Sequence, residues 1–521
     1  MHATSHHPQE HLRVQTTSGI VAGTIDPQTG VRTWRGVPYG ADTSGENRFR
    51  APRPAPPWSG VLTTTNYRPP AMQTSFGWKD TVIGTEDCLH ADIVRPDTDD
   101  VLPVVVYFHG GSFVSGSSHE KVLQGHFLAK ATDIVYVSLN FRLGVLGYLD
   151  LRSIGEDCVA NPAILDQILA LQWVHKNIAA FGGDPNNVTI MGESAGAASV
   201  IHMMCAPAAR GLFHRAIAQS TPLSSVHTKA QAAMWTSTLL DGMGLPRLST
   251  LEHLREVSAK ELVQVGQSML LTSRELRELN LSFMPTVDGT TLPAHPLDMF
   301  REGKQAPVPL IIGTNADEAS FAKALYQRTK ARQRAARRLL EAYDAKNATA
   351  VIQAYSDVSQ RTDFAEFLAD AVFWGPSVIA AGEHRKVAPT WMYRFEYASA
   401  TMRRLGLGAM HTADLMAVFG DREGTRSAKI DRFGSTVAFE AVVDVMQRNW
   451  GSFFHTGAPE PNWPRYDFRG DDHPGRATAV INEHPSIVFD PKRNQRRAWE
   501  DFDMRSWQGG EAWMRIVGAE Q

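Results

Sequence analysis

A serine with a glycine two positions away on each side is the clearest chemical feature of the chain. Gly192-Glu193-Ser194-Ala195-Gly196 follows a β-branched stretch and precedes a run of small residues. This spacing is typical of a strand-to-helix turn that strains the serine backbone and projects its Oγ into a cleft. The helix that follows would direct free N–H groups at the reacting centre. The motif therefore predicts Ser194 as the nucleophile of an acyl-transfer reaction.

Backbone donors for a developing negative charge are predicted upstream of this serine. Gly110 and Gly111 follow a short apolar run, and adjacent glycines after a strand let backbone N–H groups point into the cleft. The N–H group of Ala195 would supply a further donor, and one such donor stabilises the transition state by roughly 2.7–4 kcal/mol. His109, which precedes the glycines, is predicted to hold this loop.

The acid that orients a catalytic histidine is expected after the serine in the chain, just beyond a later strand. Asp317 and Glu318 occupy such a position, a few residues after the strand-like run at residues 308–313. Adjacent side chains point in different directions, so we expect only one of the two carboxylates to face the histidine. The residues alone leave the choice between them open.

The base is expected among the histidines that follow the serine. His411 lies on a loop rich in small residues, with Gly406 and Gly408 before it and an apolar run after it. His384 and His455 compete with it in sequence order, but each lies within or at the end of a helical pattern. We therefore predict His411 as the base.

Short apolar runs without polar alternation predict the strands that must position these residues. Such runs are typical of strands buried on both faces of a largely parallel sheet. They occupy residues 101–108, 134–139, 188–191, 308–313 and 391–397. Apolar residues at helical spacing between residues 164 and 178 add a strand–helix–strand unit, and other helical patterns flank residues 308–313. The predicted fold class is α/β.

Composition excludes several other classes of function. The chain has 521 residues, and its 52 Lys+Arg nearly balance 55 Asp+Glu, so no global field attracts nucleic acid or an anionic membrane. Its 3 cysteines, none in C-x-x-C spacing, favour neither a disulfide framework nor a zinc site. No signal peptide is visible, and no run of roughly 18 apolar residues that could span a bilayer. These features predict a cytoplasmic protein that uses no metal or cofactor.

These motifs together resemble the type-B carboxylesterases, the esterase/cholinesterase family of α/β-hydrolases, and most closely its bacterial members of the para-nitrobenzyl esterase kind. The resemblance runs from about residue 14 to about residue 507. It is carried, in order, by Arg35-Gly36-Val37-Pro38-Tyr39, Arg48-Phe49-Arg50-Ala51-Pro52, Glu86-Asp87-Cys88-Leu89, His109-Gly110-Gly111, Asn140-Phe141-Arg142-Leu143-Gly144, Leu165-Asp166-Gln167, residues 177–185, Gly192-Glu193-Ser194-Ala195-Gly196, Asp317-Glu318 and Ala409-Met410-His411.

The resemblance implies an α/β-hydrolase fold, with a large, mixed and mostly parallel sheet flanked by helices. One domain would cover residues 13–515, with helical lid insertions at about residues 228–285 and 316–388, after a flexible tail at residues 1–12. The family pattern implies Ser194 as nucleophile, Glu318 instead of Asp317 as acid, and His411 as base.

Further positions take their expected roles from the same resemblance. The N–H groups of Gly111, Ser112 and Ala195 would form the oxyanion hole, while Glu193 and Ser220 would support the triad through hydrogen bonds. Ser112 replaces the common third glycine of the family, a change that keeps a backbone donor but could crowd bulky substrates.

Two structural salt bridges are also implied, Arg48 with Glu86 and Arg142 with Asp184. Secreted relatives tie the cysteine that matches Cys88 to an upstream cysteine. No cysteine precedes Cys88 here, which favours an intracellular location.

The predicted function is hydrolysis of small to medium carboxylic esters by water through an acyl-enzyme, in a monomer or a small homo-oligomer. The same residues could act on carbamates, amides or lactones, and a binding module without activity is the alternative from another class. Residues 73–80, 268–280 and 365–377 are candidate pocket walls. Within or near them, Trp78, Phe283, Phe373 and Trp374 could line the pocket or belong to the core.

Overall fold

One large mixed sheet dominates the computed structural model. The structure describes residues 10–75, 81–246, 248–272, 275–325, 328–421, 436–467, 475–505 and 507–508. The strands in these residues are β1 (Arg13–Gln15), β2 (Ile20–Ala22), β3 (Thr24–Ile25), β4 (Arg32–Pro38), β5 (Val61–Thr63), β6 (Gln73–Thr74), β7 (Val82–Ile83), β8 (His90–Arg95), β9 (Leu102–Phe108), β10 (Val135–Leu139), β11 (Gly183–Glu193), β12 (Arg215–Gln219), β13 (Leu310–Asn315), β14 (Thr390–Phe395), β15 (Ala477–Ile481) and β16 (Ser486–Phe489).

The main sheet combines a parallel centre with antiparallel edges. Its order in the described part of the chain is β16-β15-β14-β13-β12-β11-β9-β10-β8-β4-β3. The strands from β15 to β10 run parallel to their neighbours, while β16 at one edge and β8, β4 and β3 at the other pair antiparallel. Two small sheets, β1-β2-β5 and β6-β7, lie apart from it. The predicted α/β class and mostly parallel mixed sheet are confirmed.

Helices make up most of the remaining regular structure. The described helices are α1 (His126–Thr132), α2 (Gly144–Gly147), α3 (Pro162–Asn177), α4 (Ala195–Cys205), α5 (Lys229–Gly242), α6 (Leu251–Glu256), α7 (Ala259–Thr272), α8 (Pro296–Arg301), α9 (Ala322–Leu325), α10 (Thr329–Asp344), α11 (Ala348–Gln353), α12 (Arg361–Ala369), α13 (Gly375–His384), α14 (Ala400–Arg404), α15 (Ala413–Phe419), α16 (Thr436–Thr456) and α17 (Arg493–Glu500). A π-helical turn, Asp370–Trp374, joins α12 to α13.

Both faces of the sheet are buried. Along β9, Val104 and Val106 belong to one hydrophobic cluster, whereas Val105 and Tyr107 belong to another. Successive side chains of a strand point to opposite faces, so the two clusters lie on the two sides of the sheet. A sheet buried in this way needs apolar residues at every position, which explains the apolar runs without alternation.

The predicted lid insertions lie where helices are dense. Residues 228–285 contain α5, α6 and α7, and residues 316–388 contain α9 to α13. At the N-terminus, residues 1–9 of the predicted tail lie outside the described residues. Glu10–Leu12 forms a short 3₁₀ helix, and the side chain of Leu12 is buried.

One helical run in the described residues is long and apolar enough to cross a membrane by length and composition. It is Arg361–His384, with 24 residues and a mean hydropathy of 1.3 in its most apolar window. Since 78% of that window is buried inside the protein, its apolar surface packs against other parts of the fold, as expected for a core helix.

One of the two implied salt bridges is present and the other is wrong. Arg48 Nε donates to Glu86 Oε1 at 2.7 Å. Arg142 does not pair with Asp184 but with Asp166, which lies on α3 and accepts from Nη2 at 2.6 Å and from Nε at 2.8 Å. Asp184 instead accepts a hydrogen bond from the backbone N–H of Asn186, two residues further along.

Candidate active site

The carboxyl ends of four neighbouring parallel strands meet at one edge of the sheet. Gly110 and Gly111 follow β9, Ser194 follows β11, Ser220 follows β12 and Glu318 lies in the turn after β13. In open α/β sheets this edge is where ligands bind. The topology thus brings together residues that are more than two hundred positions apart in the chain.

The turn between β11 and α4 holds Ser194 in a strained conformation. Its backbone has φ of 57° and ψ of −125°, a combination that non-glycine residues rarely adopt. A Cβ atom on Gly192 would collide with the backbone of Gly196, and one on Gly196 would collide with the carbonyl oxygen of Phe108. Both glycines are therefore required by the close approach of strand and helix.

A chain of hydrogen bonds connects Ser194, His411 and Glu318. His411 Nε2 lies 2.9 Å from Ser194 Oγ, and His411 Nδ1 lies 2.6 Å from Glu318 Oε2. The Glu318 carboxylate accepts from Nδ1–H, which leaves Nε2 free to accept the Ser194 hydroxyl proton. Glu318 is 1% exposed, and the His411 side chain keeps 22% of its surface open to solvent.

The structure shows which of the two adjacent carboxylates, Asp317 or Glu318, faces His411. Glu318 Oε1 accepts from Ser220 Oγ at 2.5 Å and from the backbone N–H of Asn315 at 2.7 Å, so its free oxygen faces His411. Asp317 points elsewhere, because its Oδ2 accepts from the backbone N–H of Ala409 at 3.0 Å.

The two alternative candidates for the base, His384 and His455, lie away from these hydrogen-bonded residues and have structural partners. His384 Nε2 lies 2.8 Å from the carbonyl oxygen of Val308, and His455 Nε2 lies 2.8 Å from that of Thr132. His109, predicted to hold the glycine loop, places Nδ1 2.8 Å from the Gly110 oxygen.

The predicted oxyanion donors lie beside the serine. Gly111, Ser112 and Phe113 have φ of 107°, 54° and 64°, so the turn after β9 has positive φ at three successive positions. A Cβ atom on Gly110 would be only 3.3 Å from Ser194 Cβ, which shows how closely this loop approaches the turn. Among the described residues, no acceptor is recorded for the N–H groups of Gly111, Ser112 and Ala195.

A cavity of about 940 Å³ opens onto Ser194 and His411. Its lining combines the glycine loop with side chains from several elements, among them Gln73, Thr74, Ser75, Tyr107, Ser112, Val114, His119, Met410, Thr412 and Leu415. The first predicted wall, residues 73–80, thus contributes through residues 73–75. Trp78 lies outside the described residues.

The other predicted pocket aromatics have different positions. Phe283 lines a separate cavity of about 20 Å³ with Val263 and Leu270. Phe373 stacks on the His411 ring, with a centroid distance of 4.6 Å and 28° between the planes. Trp374, its neighbour, is 5% exposed and belongs to the core.

Three acidic groups shape the electrostatics around His411. Burial alone would lower the pKa of His411, but Glu193, Glu318 and Asp414 outweigh burial and raise this pKa to about 9. Burial also raises the pKa of Glu193 to about 8, although the nearby histidine opposes this rise. Glu193 Oε1 lies 3.3 Å from His411 Nε2 and is a buried atom with no recorded hydrogen-bond partner in the described residues.

Asp414 is a residue of this region that the sequence reasoning missed. It lies one turn after His411 on α15, is fully buried, and accepts from Gln219 Nε2 and from Tyr393 OH, both at 2.8 Å. Burial raises its pKa. The signal that could have revealed it is a carboxylate inside the otherwise apolar run that follows His411.

No group of three or more His, Cys, Asp or Glu side chains that could hold a metal ion is found among the described residues. A hydroxyl, an imidazole, a carboxylate and a set of backbone N–H groups meet at the site, and groups of these kinds can carry out nucleophilic acyl transfer.

Comparison with known proteins agrees with this arrangement. The model of the carboxylesterase family matches residues 10–499. The para-nitrobenzyl esterase of Bacillus subtilis (strain 168) is 34% identical over 498 residues, covering 94% of this chain and 98% of that protein. The phenmedipham hydrolase of Pseudarthrobacter oxydans is 31% identical over 474 residues, covering 88% of this chain and 93% of that protein.

Solved structures give the same relationship. A structure of a PNB esterase superposes with a TM-score of 0.84 at 33% identity, covering 94% of this chain and 99% of the other. A carboxylesterase of Geobacillus stearothermophilus superposes with a TM-score of 0.81 at 31% identity, covering 94% of this chain and 100% of the other. The chain therefore belongs to the carboxylesterase family and has its α/β-hydrolase fold.

Proposed function

We propose that this protein hydrolyses carboxylic esters through an acyl-enzyme on Ser194, with His411 as base and Glu318 as the acid of a catalytic triad. The observation that carries the proposal is the pair of hydrogen bonds at His411, 2.9 Å to Ser194 Oγ and 2.6 Å to Glu318 Oε2. This geometry lets one imidazole both accept the serine proton and have its resulting charge stabilised.

The first half of the reaction forms the acyl-enzyme. Ser194 Oγ attacks the ester carbonyl carbon while its proton moves to His411 Nε2, and the carbonyl oxygen becomes an oxyanion. The N–H groups of Gly111, Ser112 and Ala195 donate to that oxyanion. When the tetrahedral intermediate collapses, the bond to the alcohol oxygen breaks, and His411 Nε2–H protonates the departing alkoxide.

The second half repeats these steps with water. His411 Nε2 removes a proton from a water molecule that attacks the acyl carbon, and the same donors hold the new oxyanion. Collapse breaks the bond to Ser194 Oγ, which regains a proton from His411 as the carboxylic acid leaves. No step in this sequence requires a metal ion or a cofactor.

Ser220 and Glu193 support the triad in this proposal. The hydroxyl of Ser220 and the backbone N–H of Asn315 occupy one oxygen of Glu318, so the other oxygen is directed at His411 Nδ1. Glu193 Oε1 lies 3.3 Å from His411 Nε2, where it can accept from Nε2–H once the imidazole is protonated.

The cavity of about 940 Å³ supports small to medium esters as substrates. A carbamate is the second candidate substrate class, because one relative is named phenmedipham hydrolase. Amides and lactones use the same chemistry at the acyl carbon. Kinetics on ester, carbamate, amide and lactone substrates with matched acyl groups would rank these classes.

We also propose that residues 13–515 form one domain and that the protein is cytoplasmic, as a monomer or a small homo-oligomer. Cys88, Cys158 and Cys205 all lie in the described part of the chain and are free thiols, which supports a reducing compartment. Light scattering on the purified protein would determine the oligomeric state.

The replacement Ser194→Ala tests the function. We expect this variant to keep its unfolding midpoint and to lose nearly all turnover of a p-nitrophenyl ester, together with covalent labelling by an organophosphate. Ser486→Ala, at an exposed position at the start of β16, serves as the control and should keep both properties. Near-normal turnover by Ser194→Ala would refute the assignment, and absence of labelling in the unmodified protein would favour a binding module instead.

A further inference from the structure

The stacking of Phe373 on His411 joins the proposed base to a distant part of the chain. The two rings are 4.6 Å apart at their centroids and 28° from parallel. Phe373 belongs to the π-helical turn Asp370–Trp374, whereas His411 lies on the loop before α15. The aromatic ring covers one face of the imidazole and restricts its rotation in that direction.

The sequence explains why the helix widens at this point. Pro376 has no N–H group, and its ring would clash with the carbonyl of residue 372 in a regular α-helix. The backbone N–H of Gly375 donates to the carbonyl of Asp370, five residues back, which is the hydrogen bond of a π-turn. A Cβ atom on Gly375 would lie 2.8 Å from that carbonyl oxygen and 3.2 Å from Trp499. The turn therefore depends on both residues.

An ion pair holds the first residue of this turn. Lys492 Nζ donates to Asp370 Oδ1 at 2.6 Å and lies 4.7 Å from the centre of the Trp374 ring. The side chains of Asp370 and Lys492 are 4% and 13% exposed. Tyr355 OH donates to Asp370 at 2.7 Å, so the carboxylate is fixed from two sides.

Lys492 itself is held in an unfavourable conformation. It precedes α17 with φ of 57° and ψ of 41°, in the left-handed region that costs a non-glycine residue free energy. Such a conformation persists only where surrounding contacts enforce it, and here the contacts are with Asp370, Glu366 and Trp374.

The orientation of the imidazole matters because His411 Nε2 has two oxygen atoms within reach. Ser194 Oγ lies at 2.9 Å and Glu193 Oε1 at 3.3 Å. A modest rotation of the ring would bring Nε2 closer to the carboxyl of Glu193, and there it could not accept the serine proton. A ring packed flat against the imidazole opposes this rotation.

We propose that the Lys492–Asp370 ion pair fixes the π-turn, and that Phe373 on this turn keeps His411 directed at Ser194. Lys492, Asp370 and Phe373 are positioning residues that act through the imidazole. The inference rests on the proposed function, in which His411 is the base. It assigns to the C-terminal segment around α17 a part in keeping the triad aligned.

A double-mutant cycle tests this coupling. Phe373→Leu removes the ring, and Lys492→Met removes the cation with little change of length. We expect each variant to lower kcat for a p-nitrophenyl ester by about tenfold with KM changed by less than about threefold. The double variant should be no slower than either single variant, because both replacements remove the same positioning of His411. Lys492→Arg should restore most of kcat.

Arg496→Met is the matched control, because Arg496 lies on α17 and pairs with Asp490 at 2.6 Å, both side chains being 9% exposed. It should lower the unfolding midpoint as Lys492→Met does and leave kcat within about twofold. If Lys492→Met does not fold, Asp370→Asn, which can keep the Tyr355 hydrogen bond, replaces it.

Two results would overturn the proposal. The first is an additive loss of kcat in the double variant, and the second is an equal loss in Lys492→Met and Arg496→Met. Labelling of Ser194 by an organophosphate, measured by mass, separates this failure from failure of the proposed function. If the unmodified protein is labelled at Ser194 and the cycle is additive, the function stands and the positioning role is wrong.

Discussion

Replacement of Glu318 by glutamine tests the proposed triad most directly, since it removes one charge and almost no volume. Glu318 is 1% exposed and accepts hydrogen bonds from Ser220 Oγ, the Asn315 N–H group and His411 Nδ1. A glutamine side chain fits the same space. Its amide has only one acceptor oxygen, so it cannot satisfy all three donors at once.

The expected loss follows from the charge that develops on His411. When the imidazole takes the Ser194 proton it becomes a cation, and Glu318 stabilises it. Two unit charges about 4 Å apart interact by about 4 kcal/mol at an effective dielectric constant of 20, which corresponds to about 10³-fold in kcat. If the amide N–H group faces Nδ1, the imidazole proton moves to Nε2, and the wrong tautomer raises the loss to about 10⁴-fold.

Asp317→Asn is the control for this prediction. Asp317 is adjacent to Glu318, but its carboxylate accepts from the Ala409 N–H group and does not face His411. Steady-state hydrolysis of a p-nitrophenyl ester should show Glu318→Gln slowed by about 10³-fold or more in kcat, with Asp317→Asn within about threefold of the unmodified protein. The reasoning is refuted if Glu318→Gln keeps more than about a tenth of kcat, or if Asp317→Asn loses as much.

Three further changes give distinct outcomes. Ser112→Gly relieves a backbone φ of 54°, so it should stabilise the protein by about 1 kcal/mol in thermal unfolding and lower KM for esters of bulky alcohols. If Glu193 is neutral, Glu193→Gln should shift the midpoint of the acid limb in the pH profile of kcat/KM by less than about half a pH unit. If Glu193 is ionised, its removal would lower the pKa of His411 and move that midpoint to lower pH. Asp166→Asn leaves the buried guanidinium of Arg142 unpaired, so it should destabilise by about 3–5 kcal/mol in urea unfolding. Asp184→Asn should change stability by less than about 0.5 kcal/mol.

The parts of the fold that could be predicted are those whose structure is determined by residues close together in the sequence. The central strands are apolar at every position because both of their faces are buried, so β9, β10 and β13 were recognisable from the chain. Gly192 and Gly196 are required by the close approach of β11 and α4, which is a local requirement as well. Ser194 could therefore be singled out as a candidate before any other residue.

The parts that could not be predicted depend on contacts between distant segments. The choice between Asp317 and Glu318 was open because it is decided by a loop about ninety residues later, where Ala409 binds Asp317. The family resemblance implies Asp184 as the partner of Arg142, but the direction in which α3 presents Asp166 determines the pairing. Phe373 could be assigned neither to a pocket nor to the core, since a π-turn has no signature in helical periodicity.

The carboxyl of Glu193 decides whether His411 can act as a base at neutral pH. With both neighbouring carboxylates ionised, a His411 pKa of about 9 would leave the imidazole protonated at pH 7 and unable to accept the Ser194 proton. Burial raises the pKa of Glu193 to about 8, however, so at pH 7 this group is mostly protonated and contributes no charge. Glu318, which is hydrogen-bonded to Nδ1, then provides the main stabilisation of the imidazolium that forms when the proton leaves Ser194. A glutamate directly before the proposed nucleophile is thus compatible with catalysis, because burial favours the neutral form of its carboxyl.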